Sequence, residues 1–138
     1  MEFDEKGIMK KLILIADDDA KHLTLISDVL QAAGYDTLTA TNGARAIEMA
    51  RSDKPDLILM DVQMPVIDGV SAVKALKADH ITRSIPVIAI TALAMDGDRT
   101  RMLEAGFDGY LGKPISIKEF RSVVASHLDR GTEGGARP

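Results

Sequence analysis

The chain has 138 residues, of which 46% are hydrophobic and 28% charged, so it is long enough for one domain with its own core. Its net charge of −4 argues against direct nucleic-acid binding by the chain as a whole, and the lack of cysteine excludes disulfides and thiolate chemistry. No apolar stretch nears the ~20 residues that a membrane span needs.

Residues 1–8 read as polar and loose, and 1–9 as a flexible segment at whose end Met9 could serve as an alternative start. They hold no signal-peptide apolar core, so the cytoplasm is the expected compartment. From residue 10 to 129 strands and helices alternate. The run Leu12-Ile-Leu-Ile-Ala16 predicts a buried strand over 11–16, ending in three acids, Asp17, Asp18 and Asp19. Leu23, Ile26, Leu30 and Ala33 keep helical spacing over 20–33, and Gly34 is the stop signal. A second strand is expected over 36–40, then a helix over 43–52 capped by Thr41 or Asn42. The third strand, 57–61 after Pro55, again ends in an acid, Asp61. A helix over 69–78 follows, with Asp68 as its N-cap.

The fourth strand, 86–91, ends in Thr91, and a helix over 98–105 stops at Gly106. A short fifth strand over 108–112 leads into Lys113 and Pro114. The last helix, 117–128, has Ser116 at the N-cap, Glu119 in a capping box, and Phe120, Val124 and Leu128 on one face. The stretch Gly131-Thr-Glu-Gly-Gly-Ala-Arg-Pro138 is linker-like, so 130–138 is expected to be a flexible tail or linker.

Five strand–helix alternations predict an α/β fold, a doubly wound five-stranded parallel sheet covered on both faces. In such a sheet the C-terminal strand ends line one crevice where ligands bind. Asp17, Asp18, Asp61, Thr91 and Lys113 would converge there. Acids so close repel one another unless a cation offsets them. Hard divalent cations take oxygen ligands, and Mg²⁺ typically takes one or two carboxylates and several waters. Asp17 or Asp18 together with Asp61 supplies that set. A carboxylate is also a nucleophile toward phosphorus, and phosphoryl transfer needs a metal and a cation on the equatorial oxygens. Lys113 could be that cation. Thr91 could donate to a phosphoryl oxygen, and Ala92 leaves room beside it.

Each residue also has a plainer reading. One acid could cap a helix while the others face water, Thr91 could start a helix, and Lys113 could be a solvated lysine. His22, His80 and His127 fall in or beside helices and read as solvated surface residues. There is no GxxxxGK[ST] loop to cradle a nucleotide.

Taken in order, Leu14-Ile-Ala-Asp-Asp-Asp19, Pro55-Asp-Leu-Ile-Leu-Met-Asp-Val-Gln-Met-Pro65, Asp68-Gly69, Ile90-Thr-Ala92 and Tyr110-Leu-Gly-Lys-Pro114 resemble the receiver domain of bacterial two-component response regulators. The resemblance covers residues 10–129. It implies a flavodoxin-like (βα)5 fold with strand order 2-1-3-4-5. It implies that Asp61 is the phosphoacceptor and that Asp17 and Asp18 hold Mg²⁺, with Asp18, Asp61 and the Gln63 backbone carbonyl as direct ligands. Asp19 would cap the first helix. Thr91 would be the switch hydroxyl, Tyr110 the switch aromatic, Lys113 the phosphate-binding cation, and the bond before Pro114 would be cis.

Ala16 replaces a commoner branched residue and should only loosen packing. Gln63 and Leu93 stand where side chains affect water access in the family, which bears on phosphoryl lifetime. The segments after Asp61 and Thr91 are similar to single-domain cell-cycle regulators and to receivers fused to hybrid kinases. The implied function is a signalling switch that takes a phosphoryl group from a phosphohistidine of a sensor histidine kinase or phosphotransfer protein. It catalyses only its own phosphorylation and dephosphorylation, and passes the signal to a downstream protein through the surface of the fourth helix, fifth strand and fifth helix. A monomer or weak dimer, without direct nucleic-acid or membrane contact, is expected. The chain could be stand-alone or a receiver cut from a hybrid kinase or larger regulator. A rival class, the aspartyl-nucleophile phosphatase, would need an acid two residues after Asp61, where Gln63 cannot titrate.

Overall fold

The apolar runs become strands that pair in parallel, each followed by a helix that returns across a face of the sheet. The computed structural model describes residues 10–64, 66–92, 98–113 and 116–136. The strands are β1 (Leu12–Ala16), β2 (Asp36–Ala40), β3 (Leu57–Asp61), β4 (Val87–Thr91) and β5 (Gly109–Gly112). The helices are α1 (Ala20–Ala32), α2 (Gly43–Asp53), α3 (Gly69–Ala78), α4 (Asp98–Ala105) and α5 (Ile117–Ala136). The strand order is β2-β1-β3-β4-β5, as the resemblance implies. Side chains alternate across a strand, and the core divides accordingly. Ile13, Ile15, Leu57, Leu59, Ile88 and Ile90 join Leu23, Ile26 and Leu30 of α1 and Phe120, Val124 and Leu128 of α5. Leu14, Ala16, Ile58, Met60, Val87 and Ala89 pack on the other face with α2, α3 and α4.

Side-chain caps fix where helices begin. Asp19 accepts from the N–H groups of Lys21 (3.0 Å) and His22 (3.4 Å). Asn42, rather than Thr41, caps α2 by accepting from Arg45 N–H at 2.8 Å. Asp68 accepts from Ser71 N–H at 2.7 Å, and Ser116 from Glu119 N–H at 3.4 Å. Each such cap contributes about 1 kcal/mol. Gly34 and Gly106 follow α1 and α4 at φ of +98° and +119°, a backbone region that side chains disfavour.

One element differs from expectation. α5 runs to Ala136, past the expected end at Leu128. Glycine lowers helix propensity but keeps its N–H, so without an intervening proline the i→i−4 ladder can continue. The expected cis bond at Pro114, the segment 1–9 expected to be flexible, and Leu93 lie outside the described residues. Among the described residues no helix is long and apolar enough to cross a membrane.

Candidate functional site

Parallel pairing brings the acidic ends of β1 and β3 side by side. Ala16 stands opposite Met60, and Asp61 stands opposite Ile90, one residue short of Thr91. Asp17 and Asp61 are 2% and 5% exposed, whereas Asp18 faces solvent. One carboxylate oxygen from each of the three acids lies within 4.8 Å of the others. At an effective dielectric of ~20, two charges 4.8 Å apart repel by about 3.5 kcal/mol.

Lys113 answers that repulsion. Its Nζ donates to Asp61 Oδ2 at 2.8 Å and lies 3.7 Å from Asp17 Oδ2. Burial alone would lower the amine's pKa. The hydrogen bond to Asp61 and the charges of Asp17 and Asp61 outweigh burial and raise it above the ordinary 10.5. The ammonium is placed by the sheet, because the Lys113 backbone N–H donates to the Thr91 carbonyl at 2.8 Å.

The other oxygen of Asp61, Oδ1, accepts from Gln63 N–H at 2.9 Å, so the loop after β3 folds back over the carboxylate. That loop returns tightly onto α3, with Gly69 N–H donating to the Val62 carbonyl at 2.9 Å. A Cβ at Gly69 would lie 2.6 Å from the Asp61 carbonyl oxygen and 2.7 Å from Val62 Cα, so only glycine fits. Thr91 is fully buried at the end of β4, and Ala92 beside it is exposed. Tyr110, opposite Ala89 on β5, is partly buried against the α2–α3–α4 side of the core.

Two histidines depart from the solvated reading. His22 reaches the crevice, where its Nδ1 lies 2.8 Å from Asp17 Oδ2. The cap at Asp19 puts His22 third in α1, and helical side chains lean toward the helix N-terminus, here toward the end of β1. His127 is 9% exposed and packs over Gly109, where an added Cβ would come within 2.8 Å of Nε2. It extends the Phe120–Val124–Leu128 stripe, a helical period that includes residue 127. His80 is exposed.

The donor chemistry fits a hard divalent cation. The clustered atoms are all carboxylate oxygens, two of the three acids are buried, and no softer ligand joins the group among the described residues.

A five-stranded parallel sheet in the order β2-β1-β3-β4-β5, with acids, a hydroxyl and a lysine at one edge, is the architecture of a receiver-type α/β fold, and comparison with known proteins gives the family. The response regulator receiver domain profile matches residues 13–125. The chain belongs to that family, the signalling domain of two-component systems. The polar-differentiation response regulators DivK of Brucella anthropi and Brucella ovis are each 42% identical over 120 residues, spanning 87% of this chain and 98% of theirs. The receiver domain of the Pseudomonas aeruginosa sensor histidine kinase PA1611, solved with a magnesium ion coordinated in its active-site cleft, is 34% identical. Its TM-score is 0.81, with 88% of this chain and 99% of that one covered. The receiver domain of the Francisella response regulator 1452 is also 34% identical, with a TM-score of 0.83 and coverage of 88% and 98%.

Proposed function

We propose that the protein is a phosphorylation-controlled switch in which Asp61 accepts a phosphoryl group from a phosphohistidine on a partner kinase or phosphotransfer protein. One observation carries this reading: the Asp61 carboxylate is buried at a strand end and held at both oxygens, by the Lys113 ammonium and the Gln63 N–H. An Asp61 oxygen attacks phosphorus, the phosphorus–nitrogen bond breaks, and the donor imidazole leaves with the electron pair. Lys113 then exchanges its contact with Asp61 for the phosphoryl oxygens, a charge-assisted contact of the same kind. Mg²⁺, held by Asp18, Asp61 and the Gln63 backbone carbonyl with Asp17 beside them, would supply charge neutralisation on those oxygens.

Thr91 would donate its hydroxyl to a phosphoryl oxygen, and Tyr110 would turn toward the space so opened. Ala92, being small, leaves the approach open. The surface of α4, β5 and α5 thereby changes for a downstream protein. Such a switch needs about 5.5 kcal/mol of differential stabilisation to move from 1:99 to 99:1. On this reading the protein works in the cytoplasm, as a monomer or weak dimer, through protein contacts.

The test is incubation with a small phosphodonor and Mg²⁺. One acid- and base-labile phosphoryl group should be added to the parent and none to Asp61→Asn. Phosphorylation that persists in Asp61→Asn would overturn the assignment.

A further inference from the structure

We propose that His22 is a positioning residue that fixes the Asp17 carboxylate for cation binding; this rests on the Mg²⁺-dependent reading above. His22 Nδ1 lies 2.8 Å from Asp17 Oδ2. A carboxylate only accepts, so Nδ1 carries the hydrogen in either protonation state of the ring. Asp17 Oδ1 accepts from Asp19 N–H at 2.9 Å. The carboxylate is therefore pinned at both oxygens from the start of α1, in a side chain that is almost wholly buried.

His22 acts through Asp17 and not on the cation. The donor atoms within 4.8 Å of one another come from Asp17, Asp18 and Asp61, and the imidazole is not among them. Lys113 Nζ also faces Asp17 Oδ2, at 3.7 Å, but its closer bond is to Asp61. Once Lys113 moves to a phosphoryl group, His22 remains as a donor on that oxygen. His22 thus keeps Asp17 in one orientation in both states of the switch. Partners that orient the groups of a metal site change affinity by 10–100-fold when removed.

The experiment uses the full chain and two variants. His22→Leu removes the donor. His22→Asn keeps an N–H donor one bond from Cγ, where Nδ1 stood. In an Mg²⁺ titration followed by amide shifts, His22→Leu should bind about tenfold more weakly than the parent, and His22→Asn within about threefold. In the metal-free parent, nitrogen–proton correlation spectra should show the hydrogen on Nδ1 of His22, and its signal should shift in Asp17→Ala. Equal weakening in both variants, unchanged binding in His22→Leu, or an Nε2-protonated ring indifferent to Asp17→Ala would overturn the proposal. No Mg²⁺ binding in the parent would sink the metal-dependent function itself and the His22 role with it. Should His22→Leu fail to fold, the parent spectra and His22→Asn decide.

Discussion

Replacing Lys113 by methionine keeps most of the stem volume and removes the ammonium set against two acids. At an effective dielectric of ~20, contacts of 2.8 and 3.7 Å correspond to about 6 and 4.5 kcal/mol of gross attraction. Desolvation of the lysine offsets much of this. Breaking one side of a buried pair costs about 3–5 kcal/mol. Because the Lys113 side chain is 22% exposed, roughly 2–4 kcal/mol is the better expectation at neutral pH without metal.

A domain of this size loses roughly 4 °C of Tm per kcal/mol, so the variant should melt about 8–16 °C lower in chelator. The sign of the pH dependence follows from the raised lysine pKa. The stabilisation is fully present below the unfolded-state value and is lost as pH rises through the higher folded-state value. The gap between parent and variant should therefore hold from pH 7 to about 10 and close above 10.5. Mg²⁺ at a hundredfold excess over its Kd adds about 2.7 kcal/mol. Without a competing ammonium the variant should gain more from Mg²⁺ than the parent does. Thermal unfolding followed by circular dichroism, with chelator or Mg²⁺, measures all three. A variant as stable as the parent in chelator at pH 7 would refute the reasoning, as would a larger Mg²⁺ gain in the parent.

Three further outcomes follow from the geometry. Gly69→Ala should lower stability by about 1–3 kcal/mol in urea unfolding, because the added Cβ meets backbone that cannot rotate away; an unchanged urea midpoint would contradict that close approach. Val66 holds φ +71° while 80% exposed, so Val66→Gly should stabilise by about 1 kcal/mol, relief of strain exceeding the added chain entropy. A lower Tm for that variant would mean the valine makes a compensating contact. Thr91→Ala should accept a phosphoryl group yet transmit it poorly, read as smaller amide shifts on α4 and α5 with a phosphoryl mimic; shifts equal to the parent's would place the signal elsewhere.

Much of the fold is legible because short apolar runs have few alternatives. Leu12-Ile-Leu-Ile and Leu57-Ile-Leu-Met can be buried on both faces only in a covered sheet. The caps at Asp68 and Ser116 are readable because each side chain has a local backbone donor to satisfy, whereas Thr41 and Asn42 are equal candidates in the sequence and Asp19 is marked as a cap only by the family resemblance. The convergence of acids, hydroxyl and lysine follows from parallel topology alone. What pattern does not display is helical phase relative to the neighbouring strand. His22 looks solvated until the cap at Asp19 sets its position in the first turn, and then its direction toward Asp17 is fixed. His127 is a similar case, being polar by type yet on the buried stripe of α5. The end of α5 was unreadable because glycine weakens a helix without stopping it.

The central claim is that Asp61 carries the phosphoryl group, and reductive trapping tests it most directly. The parent chain is phosphorylated with a small donor and Mg²⁺, treated with borohydride, which converts an aspartyl phosphate to homoserine, and mapped by peptide mass spectrometry. The account predicts homoserine at position 61 alone and none without the donor. Homoserine at position 17 or 18, with Asp61 intact, would contradict it.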